Sequence, residues 1–197
     1  MEDYLREQLV SMGPAAAKNF HDILQTYEDL ADQYGLWDAV SVIKEYGCSD
    51  DGFIDFRAWL IAQGKEVYMN ALRDPDTLAD IEPYGDCCFE CLSYVGDYAY
   101  EQLTGRSAYD EMEPDRIEKL RDELKKDIVY KDGIQYPREP KDLPRFLPRL
   151  CEKYGGPERF LAAPSAWNYD LHEIRRLLDE GKVQDMATEK EKGGGAR

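Results

Sequence analysis

No run of about 18 consecutive apolar residues occurs in this chain, which argues against a membrane-spanning helix. A basic, then greasy, leader is missing too: the opening "MEDYLREQLVSMG" is acidic and amphipathic, so a cytoplasmic location is expected. Histidine is scarce, with only His21 and His172, and no G-x-S-x-G, H-E-x-x-H, P-loop or G-x-G-x-x-G accompanies them. Nothing in the sequence therefore announces a catalytic centre or a cofactor, and none is expected. The five cysteines (Cys48, Cys87, Cys88, Cys91 and Cys151) are an odd number in a chain too long to need disulfide staples, and they read as free thiols.

Positive charge is nearly absent from one stretch. Residues 74–115 hold twelve Asp or Glu and a single base, Arg106, whereas 116–153 carry eleven Lys or Arg against eight acids. The whole chain has a net charge of −16. Such a field repels phosphate backbones and anionic lipid heads, so neither nucleic acid nor a membrane is an expected partner, and a basic protein is.

What is present is helical periodicity. With 43% hydrophobic residues, 197 residues can build a sizeable core in one domain. "GPAAAKNFHDILQTYEDLADQYG" opens on Pro14 and sets Phe20, Ile23, Leu24, Tyr27, Leu30, Ala31 and Tyr34 at helical spacing. "LWDAVSVIKEYG" follows, ending at Gly47 as a left-handed cap. Phe56, Trp59, Leu60, Val67 and Ala71 predict a third helix from about Asp55 to Arg73, with Gly64 inside it marking close approach by another element. "DCCFECLSYVGDYAYEQLTG" predicts a fourth, with Cys88 and Cys91 on its core stripe and Gly105 as its stop. A fifth runs from Pro114 through Ile117, Leu120, Leu124 and Ile128. A small β-hairpin is expected near 129–136, around Asp132-Gly133, and the proline-dense segment after it allows only a short turn from Pro148 to Lys153. "NYDLHEIRRLLDEG" predicts a last helix. The fold class is mainly α, a compact multi-helix domain over 1–155, with a helical extension at 156–184 and a tail at 185–197.

"YGCSDDGFIDF" raises a calcium question, because "DGFIDF" resembles half of an EF-hand loop. With Gly52 at loop position 6, Asp51 and Asp55 fall on ligand positions 5 and 9, but Gly47 and Ala58 occupy the two ends where carboxylates belong. No calcium is expected. Zinc at Cys87, Cys88 and Cys91 would need further ligands from Cys48, Cys151, His21 and His172, none at a paired spacing, so no metal is assigned. Helix capping explains the loop instead: Ser49, Asp50 and Asp51 offer acceptors, and Asp55 favours the positive end of the dipole.

The same segment resembles a bacterial family, domain of unknown function 4240. The resemblance rests on Trp37 to Ala39, on "GCSDDGFIDFRAWLIAQG" (47–64) with Gly47, Cys48, Ser49, Gly52, Phe53, Phe56 and Gly64 as its structural positions, and on "AYEQLTG" (99–105). It spans about 19–105, with "LPRFLPRLCEKYG" (143–155) similar to the family's closing segment. It implies a mainly helical fold and no established activity. If a functional cleft exists, Asp50, Asp51, Asp55, Arg57, Trp59 and Gln63 are its candidate residues, an acid, base, indole and amide mixture denser than capping requires. The expected role is a non-catalytic interaction or regulatory module with an acidic binding surface. Two alternatives stand beside it: an immunity-type protein that occludes a basic toxin, and an enzyme using carboxylates near Asp50 to Asp55. An exposed aromatic patch beside the acid field would favour interaction, and a concave pocket of converging polar groups would favour an enzyme.

Overall fold

The computed structural model describes residues 2–44, 47–83 and 86–155. Helix α1 (Glu2–Met12) leads through Gly13 into α2 (Pro14–Leu30), which opens on proline as its spacing predicts. α3 (Tyr34–Ile43) is buried along almost its whole length, and Gly47 beyond it has φ of 90°. The predicted third helix is two helices, α4 (Asp50–Ala62) and α5 (Lys65–Arg73). α4 starts at Asp50, earlier than the apolar stripe indicates, because the Ser49 hydroxyl accepts the Gly52 amide at 3.1 Å. It stops because Gly64 takes φ of 93°, a left-handed conformation no helix interior holds. The expected close approach at Gly64 is absent, since a Cβ there would meet no atom within 4 Å.

A 3₁₀ turn (Pro75–Asp80) leads to α6 (Glu90–Thr104), closed by left-handed Gly105, and then to a second turn (Tyr109–Glu111) and α7 (Pro114–Lys125). The proline-dense remainder forms a turn (Pro140–Asp142) and two short helices, α8 (Leu143–Phe146) and α9 (Pro148–Lys153). Each starts with proline in its first turn, where the missing amide costs nothing. The α9 amides of Arg149 and Leu150 donate to the two Asp76 oxygens at 3.1 and 2.9 Å, which ties the end of the described chain to its middle.

No strand forms among the described residues, so the hairpin expectation at 129–136 is corrected. The backbone there bonds outward: Lys131 N donates to Leu72 O at 3.0 Å, and Ile134 O accepts Gly35 N at 2.7 Å. The Ile134 side chain is buried in the core, and the turn that Gly133 makes serves to deliver it there. The expectations for 156–184 and 185–197 fall outside the described residues.

The main core lies among α3, α4, α5, α9 and the Pro75–Asp80 turn; a smaller one holds Leu9, Ala17, Val95, Ala99, Tyr100 and Ala108 between α1, α2 and α6. Sequence neighbours suggest that α2 packs on α3 and α4, but its longest contact is with α6. Gly96 permits it: a Cβ there would sit 2.9 Å from the backbone N and Cα of His21. Cys91 is exposed and Cys88 half-buried, contrary to the predicted core stripe. The face of α6 that turns inward is Leu92, Ser93, Val95, Gly96, Asp97, Ala99 and Tyr100, chosen by how closely α2 approaches and not by apolarity alone.

Candidate functional site

Within α4, Phe53, Phe56 and Trp59 recur every third residue and stack with Trp37 of α3. Ring centroids are 4.9 Å apart for Trp37 and Phe53, 6.2 Å for Phe53 and Phe56, and 5.7 Å for Phe56 and Trp59, all within 23° of parallel. Each such pair contributes about 0.5–1.5 kcal/mol beyond the area it buries. The Trp37 indole donates to Cys48 O at 2.8 Å, which locks the loop before α4 to α3. Gly52 fits under Ser49, Cys48 and Lys44, where a Cβ would lie 3.2, 3.3 and 3.6 Å from their side-chain ends. Cys48, Ser49, Gly52, Phe53 and Phe56 thus have packing or capping roles, whereas Gly47 and Gly64 contribute positive φ.

The six candidate cleft residues do not converge. Asp50 and Asp51 are exposed in the first turn of α4. Asp55 is half-buried and accepts the Cys88 thiol at 3.1 Å. Arg57 turns the other way: its guanidinium donates to Glu28 O at 3.2 Å, lies 3.6 Å from Asp32 and sits 5.2 Å over the Phe53 ring. Trp59 is in the core, and Gln63 folds back onto Trp59 O at 3.0 Å. The thiols are not activated: burial pushes Cys48 and Cys87 up to about 11, and raises Cys88 as well.

A second set of groups lies on α2 and α6. Glu28 is buried, with its carboxylate accepting the Ser93 hydroxyl at 2.5 Å and the Gln25 amide at 3.1 Å, and burial raises its pKa. His21 is fully buried with both ring nitrogens unpartnered, and burial lowers its pKa, so the imidazole is neutral. Its ring meets Tyr109 edge-on at 4.3 Å. Above them, Tyr94 and Tyr98 stand one turn apart on α6 with rings 6.0 Å apart, and Tyr98 and Tyr109 are exposed. The carboxylates Glu90, Asp55 and Glu28 act on the Tyr94 phenol, and Glu28 and Asp97 on that of Tyr109, which burial chiefly pushes up to about 12.

Comparison with known proteins gives one match: the model of the family described as protein of unknown function DUF4240 covers residues 1–102, more than half the chain. The chain belongs to the DUF4240 family. No curated protein and no solved structure matches it. The family match takes in α1 to α5 and most of α6, including the aromatic stack, His21, Glu28, Tyr94 and Tyr98. Tyr109 and the segment 143–155 lie beyond it.

Outside the DUF4240 match, α7 and the loop after it close a cleft of about 560 Å³ against the end of α2. Asp29, Asp32, Gln33, Arg121, Lys125 and Tyr130 line it, and three of its four charged side chains are engaged: Arg121 pairs with Asp29 at 2.6 Å and Asp32 with Arg57, while the Tyr130 hydroxyl donates to Leu30 O at 2.9 Å. No candidate residue of α4 lines this cleft. Among the described residues no three His, Cys, Asp or Glu side chains converge as metal ligands would, and no helix is long and apolar enough to cross a membrane. Sequence reasoning missed His21, Glu28 and the tyrosines as a group. The available signal was the i, i+4 spacing of Tyr94 and Tyr98 inside the acid-rich stretch.

Proposed function

We propose that this DUF4240 protein is a non-catalytic interaction module of the cytoplasm whose acidic face receives a basic protein partner. One observation carries the reading: the exposed rings of Tyr98 and Tyr109, with half-buried Tyr94, lie inside the stretch that holds twelve acids and one base. Aromatic anchors ringed by charge are the usual anatomy of a binding surface. The lone base, Arg106, is already paired with Glu111. Catalysis is disfavoured because Asp50 and Asp51 stand exposed in the first turn of α4, Asp55 is taken up by the Cys88 thiol, and three of the four charges lining the cleft beside α7 are paired.

The test is kinetic. A partner captured by affinity from native cytosol should associate more slowly as salt rises from about 0.1 M to 1 M, where the Debye length falls from about 10 Å to 3 Å, while dissociation changes less. Association at a salt-independent rate, or no basic partner at all, would remove the reading.

A further inference from the structure

We propose that the face formed by Tyr94, Tyr98 and Tyr109 seats arginine side chains of the partner, each guanidinium stacked on a phenol ring and forked to a neighbouring carboxylate. This rests on the interaction reading above and names the chemistry of its anchor.

The geometry of the rings comes first. Tyr94 and Tyr98 project from successive turns of α6, inclined by 27° to one another. Tyr109 reaches the same face from its own turn, which Asp97 fastens by accepting Ser107 Oγ at 2.9 Å and Ala108 N at 2.6 Å. The His21 ring supports Tyr109 from beneath. Anchors held in this way lose little freedom when a partner arrives, which favours binding.

The charges come second. Glu28, Asp55 and Glu90 act on the Tyr94 phenol and Glu28 and Asp97 on that of Tyr109, and no cation stands among the groups that act most on either; Glu90 is the exposed one of the four, whereas Glu28, Asp55 and Asp97 already accept hydrogen bonds. Elsewhere the chain shows what fills such a seat: the Arg138 guanidinium lies 3.2 Å over the Phe146 ring and 3.3 Å from Asp38, and Arg57 lies over Phe53 between Glu28 O and Asp32. Ring and carboxylate are both present at the tyrosine face, and among the described residues none of the cations that sit over rings is there. Arginine fits better than lysine because a planar guanidinium stacks and forks at once, whereas an ammonium is a strongly hydrated point charge.

The experiment titrates three short peptides into the full chain at low salt: an Arg/Ser peptide, its Lys/Ser counterpart and a Gln/Ser control, followed through the tyrosine ring signals by NMR. The Arg/Ser peptide should bind about fivefold more tightly than Lys/Ser. Tyr98→Leu should abolish that preference while leaving the melting temperature unchanged, and Tyr98→Phe, which keeps the ring, should retain most of it. Equal affinity for the two basic peptides, or an Arg/Ser affinity indifferent to Tyr98→Leu, overturns the arginine seat. If equal affinity is also lost at high salt and on Asp110→Lys, the acid field binds without the rings and the interaction reading stands alone. If neither basic peptide exceeds the control, both fall.

Discussion

Around α3 and the closing segment, buried charge meets opposite charge: Asp38, pushed up to about 7 by burial against the pull of Arg138, still lies 3.3 Å from that guanidinium. In the seam between α2 and α6 the buried polar groups meet mostly neutral ones. Glu28 takes a hydroxyl and an amide, Asp97 a hydroxyl and a backbone amide, and His21 nothing. Asp22 differs, paired with Lys18 at 3.1 Å and Arg116 at 2.8 Å. The first region is closed on itself and holds the fold. The second holds its carboxylates mainly on neutral partners beneath exposed rings, with Arg57 the cation that acts on Glu28, and Glu90 stands exposed beside them, where a cationic partner could reach it.

The comparison breaks most sharply by removing one carboxylate from each region. Asp38→Ala should cost about 3 kcal/mol in urea denaturation, because it leaves the half-buried Arg138 guanidinium without its carboxylate, with only the carbonyls of Gly133 and Tyr136 and the Phe146 ring as partners. Glu28→Gln should cost about 1 kcal/mol or less, since its partners Ser93 and Gln25 are neutral and an amide can rearrange to meet them. Equal losses would mean that the two regions handle charge alike.

This difference explains what the sequence made legible. Pro14, Ser49 and Gly105 act within a few residues of themselves, and the helix ends they set are legible; Gly47 is not the cap its spacing indicates, because α3 already ends at Ile43 with right-handed Lys44 as its C-cap. The break at Gly64 is not legible either, because a glycine's φ is not written in the apolar spacing that ran on through Val67 and Ala71. Arg57 is visible as a cation in a mixed segment, but its partners, Glu28 of α2 and Asp32 just past its end, lie 29 and 25 positions away, through contacts only the fold supplies. Cys91 was assigned inward by spacing, while the α2–α6 crossing turned Gly96 and Asp97 inward instead. Packing across the seam hid His21 and the tyrosine face in the same way.

A smaller effect separates the seam's own groups. His21 has its pKa lowered from 6.5 mainly by burial, with Asp22 and Asp97 opposing and Lys18 assisting. As pH falls, the unfolded state therefore takes this proton first, and the stability that a neutral imidazole allows is present above about 6.5 and lost below it. Glu28 runs the other way: raised from 4.5, it favours the fold at low pH and loses that advantage as pH climbs through its native value. His21→Leu should raise stability at pH 7 by about 1 kcal/mol, because it removes buried ring nitrogens without partners. It should also abolish the acid-side loss beginning near pH 6.5, which thermal melts between pH 7 and pH 5 would detect. A variant that keeps the parent's pH profile would show that His21 is not the group titrating there.

The smallest expected change is the one that separates fold from binding. Reversing the acids of the turn before α7 is not a uniform operation, although the sequence makes Asp110, Glu111 and Glu113 look interchangeable. Glu111 is half-buried, accepts the Tyr100 hydroxyl at 2.5 Å and pairs with Arg106, so Glu111→Lys loses two contacts and sets a lysine against an arginine. Asp110 and Glu113 are exposed. Asp110→Lys with Glu113→Lys should cost about 0.5 kcal/mol at most, chiefly because Glu113 stands at the positive end of the α7 dipole. The same pair shifts the charge at the rim of the tyrosine face by +4, removing two negative charges and adding two positive ones, so it should slow association with a basic partner as added salt does while leaving the melting temperature nearly fixed. A double variant that melts like the parent and associates like the parent would leave the acid field as a solubility device. The binding surface would then have to be sought on the region whose charges are already paired.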